Sequence, residues 1–158
     1  MVPLSAVVIA QNEEKAIPDA LASVAFCDDV LLVDSGSTDR TREVAAAAGA
    51  RVIVNAPWPG FTAQRDFATR AARHDWVLAL DADERVSPAL REEIEALRAR
   101  GFDADGYRIP RVARYLGRWI RATDWYPDWQ VRLFDRRRGG WEGDLLHESV
   151  RVHGKLGR

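Results

Sequence analysis

Three carboxylates lie within four positions of one another where the apolar run VLAL ends, in VLALDADERVSP from Val77 to Pro88. Residues two apart in an extended segment point to the same side. Asp81 and Asp83 can therefore present their oxygens together, with Ala82 turned away into packing. Two hard oxygen ligands at a strand end suit Mg²⁺ or Mn²⁺, which keeps some of its waters and accepts further ligands from a substrate phosphate. The competing reading of Asp-x-Asp is a solvated acidic turn ahead of the next helix. Two more polar groups, Asn12-Glu13 and Asp34-Ser35, also follow apolar runs (LSAVVIA and DVLLV), and this repetition favours a site over a turn.

These groups need elements to position them. LSAVVIA (4–10) reads as a short strand, and the spacing of Ile17, Leu21 and Val24 predicts a helix over 14–26 with Pro18 in its first turn. DVLLVDSGS (29–37) is a second buried strand ending in a Gly/Ser turn. A helix over 39–48 follows, with Ser37 or Thr38 as its cap and Gly49 as its stop. RVIVNA makes a third strand, 62–73 a helix, Trp76–Leu80 a fourth strand, and Pro88–Arg100 a helix capped by Ser87. Strand and helix alternating through short links predict an α/β fold: a mainly parallel central sheet with helices on both faces. In open sheets of this kind ligands bind outside the carboxyl ends of the strands, so Asn12-Glu13, Asp34-Ser35 and Asp81-Asp83 would line one crevice. Beyond Gly101 strands are expected at 107–115 and 129–135, extending the sheet and building the far wall of the cleft.

The 158 residues predict one domain with a single core. A net charge of −1 argues against a dedicated nucleic-acid binder. That near-neutrality hides an asymmetry: residues 1–100 hold 11 Lys+Arg against 16 Asp+Glu (net −5), and residues 101–158 hold 12 against 8 (net +4). An acidic first part and a basic second part could hold a cation and an anionic ligand between them. With Cys27 the only cysteine, no internal disulfide can form. No apolar run approaches the roughly 20 residues needed to span a bilayer, and the N-terminal stretch lacks the basic start and length of a signal peptide. A cytoplasmic chain is expected, at most peripheral at the inner face of the cytoplasmic membrane.

The ordered set AQNEE (10–14), VDSGSTD (33–39), Gln64-Arg65 and LDADE (80–84) resembles the nucleotide-sugar half of a family 2 glycosyltransferase with the Rossmann-like GT-A fold. GYRIPR (106–111), YLGRWI (115–120), WYPDWQVRLF (125–134) and LLHE (145–148) are similar to the subgroup that includes lipopolysaccharide core β-glucosyltransferases. The resemblance covers nearly the whole chain. It implies a nucleotide-sugar-binding part over 1–100 and an acceptor-side part over 101–158. It further implies inverting transfer from a nucleotide-sugar donor, expected to be a UDP-sugar, to a glycan or glycolipid, with a divalent cation (Mg²⁺ or Mn²⁺).

Residue by residue, the resemblance puts Asn12 and Glu13 against the nucleoside, and makes Asp34 the acceptor of a hydrogen bond from the base. It sets Arg65 near ribose or diphosphate, and Asp81 with Asp83 at the metal and diphosphate. His147-Glu148 stands where many relatives have Glu-Asp, a departure that leaves the general base open. An inverting transfer needs a carboxylate or His to take the acceptor hydroxyl proton. Glu148 fits that role, with Asp128 and Asp144 as alternatives; His147 is a candidate third metal ligand or a buried structural histidine. His74 and His153 read as surface residues.

Four of the six tryptophans, Trp119, Trp125, Trp129 and Trp141, are interleaved with arginines. They suit stacking on sugars and binding of anionic groups, or core packing. The Arg136–Arg138 run reads as a solvated turn or a membrane-surface contact. The rival classes are a Mg²⁺-dependent phosphatase of the haloacid dehalogenase type and a nucleotide-sugar-binding module without turnover.

Overall fold

In the computed structural model, which describes residues 1–121, 126–144 and 147–158, the apolar runs form the centre of the molecule. Along the chain come β1 (Leu4–Ala10), α1 (Ile17–Ser23), β2 (Asp29–Asp34), α2 (Thr41–Ala47), β3 (Arg51–Val54), α3 (Phe61–Ala71), β4 (Trp76–Asp81) and α4 (Pro88–Arg100). Then follow β5 (Gly106–Arg111), β6 (Ala113–Tyr115), β7 (Arg118–Ile120), β8 (Asp128–Asp135), β9 (Gly139–Glu142), β10 (Ser149–Val152) and β11 (Leu156–Gly157). Seven strands form one sheet in the order β11-β5-β8-β4-β1-β2-β3. The four strands β4, β1, β2 and β3 run parallel, and β8 lies antiparallel between β4 and β5. The acidic first part and the basic second part thus share a single sheet.

Alternation along β1 divides the core. Leu4, Ala6 and Val8 face a layer of α1, α2 and α4, where Ile17, Leu21, Ala45 and Ile94 are buried. Val7 and Ile9 face α3 and the β9–β10 hairpin through Ala68, Ala72, Trp141 and Val150. One face therefore carries helices alone, and the other a helix with a two-stranded sheet.

Element ends differ from expectation where polar side chains take other work. Helix α1 starts at Ile17 because residues 14–16 form a turn in which the Glu13 carbonyl accepts from the N–H groups of both Ala16 and Ile17, each at 3.0 Å. Ser37 and Thr38 do not cap α2; the Asp39 carboxylate accepts from the Thr41 N–H at 2.9 Å instead. The α4 expectation holds at both ends, with Ser87 Oγ accepting from the Leu90 N–H at 3.2 Å and Gly101 at φ 88° closing the helix. The strand expected over 107–115 is divided at Val112 into β5 and β6, and β6 turns out of the sheet to pair with β7.

The Arg136–Arg138 run is a turn with Arg137 and Arg138 exposed, as the solvated-turn reading expects, but its arginines are paired rather than a free basic patch. Arg136 Nη1 donates to the carbonyls of Thr69, Arg70 and Ala72 at 3.3, 3.2 and 2.7 Å, satisfying the end of α3. Arg137 pairs with Asp135 at 2.7 Å and Arg138 with Asp105 at 3.5 Å.

Asp29 makes a buried anchor at the start of β2. Its carboxylate accepts from Arg51 Nε and Nη2 (2.7 and 3.0 Å), from Ser5 Oγ (2.9 Å) and from the Arg73 N–H (3.0 Å). Burial pushes its pKa up, but these donors more than offset that and hold it at about 2. A carboxyl depressed in the folded state stabilises the fold fully above its unfolded pKa. Stability should therefore fall by about 2 kcal/mol as pH drops from roughly 4 to 2. Asp29→Asn should show a flatter urea-midpoint profile across that window, and an unchanged profile would refute the assignment.

Candidate functional site

The parallel register levels the strand ends. Ala10 lies opposite Asp34, and Ile9 opposite Asp81, so the loops after β1, β2 and β4 open side by side. Sequence reasoning expected this crevice.

The first two loops are tied to each other. Asn12, at φ 52°, accepts on Oδ1 from the N–H groups of Thr38 (2.8 Å) and Asp39 (3.3 Å). Asn is among the few residues that tolerate that backbone. Ser37 Oγ accepts from the Asn12 N–H at 2.9 Å and donates to Asp34 Oδ1 at 2.5 Å. Asp34 Oδ2 accepts from the N–H groups of Gly36 (2.9 Å) and Ser37 (2.8 Å). The Asp34 carboxylate is fully buried in this turn and closed to solvent, so a hydrogen bond to a base requires the turn to open. Ser35 Oγ accepts from Gln64 Nε2 at 3.0 Å, and Gln64 Oε1 accepts from Asn55 Nδ2 at 2.7 Å, which joins α3 to the ends of β2 and β3.

At the end of β4 the charges alternate. Asp81 Oδ1 accepts from Arg65 Nη2 at 2.6 Å, and Oδ2 from Arg132 Nη2 at 3.3 Å. Glu84 Oε1 accepts from Arg132 at 3.0 Å, while its Oε2 takes the Asp81 N–H at 2.9 Å and the Glu84 N–H returns to the Asp81 carbonyl at 3.0 Å. Arg65 is not a helix-surface residue: it is 9% exposed. Its guanidinium carbon lies 4.9 Å from the Trp141 ring centre and 5.7 Å from that of Phe61. Its Nε is buried and, among the described residues, has no hydrogen-bond partner. Glu148 Oε1 stands 3.7 Å from Arg65 Nη2, so the expected base sits beside the Asp81 ion pair.

Asp83 is exposed and, among the described residues, has no ion pair or hydrogen bond to its carboxylate. Burial pushes the Glu13 pKa up, and the negative charges of Asp83 and Asp39 push it further. Beside Asp83 opens a cleft of about 550 Å³, walled by the start of α4, by Ile109 and Arg111 of β5, by Gln130 and Arg132 of β8, and by Arg114 and Trp119.

The remaining candidates scatter. Asp128 is bound by Arg111 (2.6 Å) and Gln130 (2.7 Å); burial pushes its pKa up, but these partners bring it below the ordinary value. Asp144 is exposed, and its carbonyl accepts from the His147 N–H at 3.4 Å. His147 is exposed rather than a buried structural histidine. Among the described residues no three His, Cys, Asp or Glu side chains gather into a group able to hold a metal ion, so His147 does not join Asp81 and Asp83 in one. His74 is half-buried, against its surface reading, and His153 is exposed. Trp125 and the Leu145-Leu146 pair of the LLHE motif lie outside the described residues. Trp141 is half-buried over Arg65 and donates to Thr69 Oγ1 at 3.2 Å, whereas Trp119 and Trp129 are exposed.

Sequence reasoning gave no role to Gln64, Glu84 and Arg132. A signal existed for two of them. Glu84 lies three residues after Asp81, the spacing of a reciprocal capping box. In sequence the two-residue period of a strand would carry Asp128, Gln130 and Arg132 on one face, although a register shift interrupts β8 at Arg132 in the structure.

The model of the family described as Glycosyl transferase family 2 matches residues 5–151. The lipopolysaccharide core biosynthesis glycosyltransferase LpsC of Rhizobium meliloti is 31% identical over 98% of this chain and 59% of its own length. An uncharacterized glycosyltransferase of Rickettsia typhi is 44% identical over 74% of this chain and 41% of its own. The chain thus spans less than two thirds of these relatives. Among solved structures, TarS of S. aureus superposes with a TM-score of 0.62 at 24% identity over 75% of this chain and 38% of its own, a likeness of fold. Glucosyl-3-phosphoglycerate synthase from Mycobacterium tuberculosis, in complex with UDP, superposes with a TM-score of 0.58 at 26% identity over 72% of this chain and 46% of its own. Nothing among these matches favours the phosphatase reading. The fold is the GT-A fold, and the chain belongs to glycosyl transferase family 2.

Proposed function

We propose that the chain transfers a sugar from a UDP-sugar to a hydroxyl of a glycan or glycolipid such as lipopolysaccharide core, with inversion at the anomeric carbon. The observation that carries this is the exposed Asp83 carboxylate, which has no ion pair or hydrogen bond among the described residues and follows by two positions Asp81, itself held by the buried cations Arg65 and Arg132. Family membership supplies the reaction class. UDP as the nucleotude carrier is supported by the UDP complex of the mycobacterial synthase, and a lipopolysaccharide acceptor by the name of LpsC.

The residues fit a divalent cation. Burial pushes the Glu13 carboxyl up first and the negative charges of Asp83 and Asp39 push it further, so carboxylates gather at these strand ends. Hard oxygen donors of this kind suit Mg²⁺ or Mn²⁺. Asp83 would hold the ion with Asp81 behind it, and with no third protein ligand gathered there among the described residues the substrate phosphates would complete the shell. When bound, the cation neutralises charge on the diphosphate as it departs.

The other roles belong to the chain's own side chains. Asn12 and Glu13 meet the nucleoside, and Asp34 with Ser35 holds the turn beside it. Arg65 and Arg132 attract the diphosphate, and a phosphate oxygen reaching Arg65 would satisfy its orphaned Nε. Glu148 takes the acceptor proton. Residues 1–100 serve the donor, joined there by Arg132, and the rest of 101–158 serves the acceptor, within one domain working at the cytoplasmic face of the membrane. Among the described residues no helix is long and apolar enough to cross a membrane.

The test is calorimetric titration of UDP with and without Mn²⁺. Asp83→Ala should fold normally, because an exposed carboxylate adds little to packing, and its affinity in Mn²⁺ should drop to the metal-free level. Unchanged metal-dependent affinity would remove Asp83 from the site.

A further inference from the structure

The β6–β7 hairpin projects away from the central sheet and presents large apolar side chains to solvent. Tyr115 is 56% exposed, Leu116 86% and Trp119 60%. Two central residues make the turn, Leu116 at φ 47° and Gly117 at φ 78°. Positive φ at both is the tight hairpin turn whose first position normally takes Asn, Asp or Gly. A leucine there is strained, and at the tip it buries nothing in return. Neither turn formation nor packing accounts for that choice.

Charge supplies the second observation. From Gly106 to Arg121 the chain holds five arginines, Arg108, Arg111, Arg114, Arg118 and Arg121, and no Asp or Glu. Arg111 is neutralised by Asp128 and Glu84, but Arg114, Arg118 and Arg121 are exposed on the hairpin and just after it. Arg114 lies over the Trp119 ring, 5.8 Å from its centre. Aliphatic tip, flanking Trp and three exposed arginines, in a stretch from Gly106 to Arg121 that holds no Asp or Glu, together match the interface of an anionic bilayer. Leu there enters the acyl boundary, Trp sits at headgroup level, and each arginine gains from the surface potential.

We propose that the β6–β7 hairpin docks this chain on an anionic lipid surface, with Leu116 as the inserted residue and Arg114, Arg118 and Arg121 as headgroup contacts. Docking depends on the hairpin alone and not on donor chemistry. Because Arg114 and Trp119 also wall the cleft beside Asp83, docking would bring that cleft to the level of the lipid headgroups.

Co-sedimentation with unilamellar vesicles of phosphatidylglycerol and phosphatidylcholine tests this, beside vesicles of phosphatidylcholine alone. The parent protein should pellet with the anionic vesicles, far less with the neutral ones, and less as salt rises. Leu116→Asn should bind anionic vesicles about tenfold more weakly. Its thermal midpoint should stay level or rise, because Asn accepts positive φ. Arg118→Glu should likewise release the protein. Equal partition of parent and Leu116→Asn overturns the proposal, as does failure of the parent to bind at low salt. Self-association that Leu116→Asn abolishes, without vesicle binding, would overturn it too and assign the tip to contacts between copies of the chain.

Discussion

Glu148→Gln should bind UDP-sugar like the parent protein and transfer it about 10²–10⁴-fold more slowly. The substitution keeps size and shape while removing the group that can accept a proton. Glu148 is well placed for the work: half-buried, 3.7 Å from Arg65 Nη2, and so beside the Asp81 ion pair at the strand ends. Its closest rival is poorly suited. Both Asp128 oxygens are already taken, Oδ2 by Arg111 and Oδ1 by Gln130, and its pKa lies below the ordinary value, which weakens it as a base. Asp128→Asn should instead loosen the contact of Arg111 with β8, with only a small change in rate. Asp144→Asn is the second control. Single-turnover rates with saturating donor separate the chemical step from binding. Normal turnover by Glu148→Gln, with either control inactive, would show the base to be misassigned.

The parts legible in the sequence were those set by local pattern. The buried strands at 4–10, 29–34 and 76–81 could be read from unbroken apolar runs, and α4 from Ser87-Pro88 at one end and Gly101 at the other. The rule for parallel sheets set the three loops at one edge, and the register of β1 with β2 and β4 levels those strand ends. Pairings across long sequence separations were not legible. Nothing local to Arg132 says that it reaches Asp81, 51 positions away, nor that Arg136 closes the end of α3. The turn after β2 misled for a related reason. Its Ser, Thr and Asp side chains can cap a helix or organise a loop, and contact with Asn12 on another loop decides which. That same contact network encloses Asp34, which in sequence looked like an open strand-end carboxylate.

The Arg65 guanidinium should prove as consequential for folding as for donor binding. It lies against two aromatic rings, shares Asp81 with Arg132, and is 10% exposed in its side chain while that of Asp81 is 25% exposed. Arg65→Met fills much of the same slot but leaves Asp81 with one cation instead of two. Breaking a buried ion pair costs about 3–5 kcal/mol when the surviving charge is stranded. Arg132 and partial solvation relieve Asp81, so a loss of about 2–3 kcal/mol is expected here. A domain stable by only about 5–15 kcal/mol would register that as a clear drop in urea midpoint. Arg65→Lys should recover little. Lysine keeps the charge but lacks the planar guanidinium that lies against Phe61 and Trp141 and whose Nη2 approaches both Asp81 and Glu148. UDP titrated without metal, at a temperature where both variants are folded, separates the two roles. Weakened binding in both variants is expected if the guanidinium meets the diphosphate; unchanged UDP affinity with lowered stability would restrict Arg65 to holding Asp81. A lysine variant as stable as the parent and equally able to bind UDP would remove both roles at once.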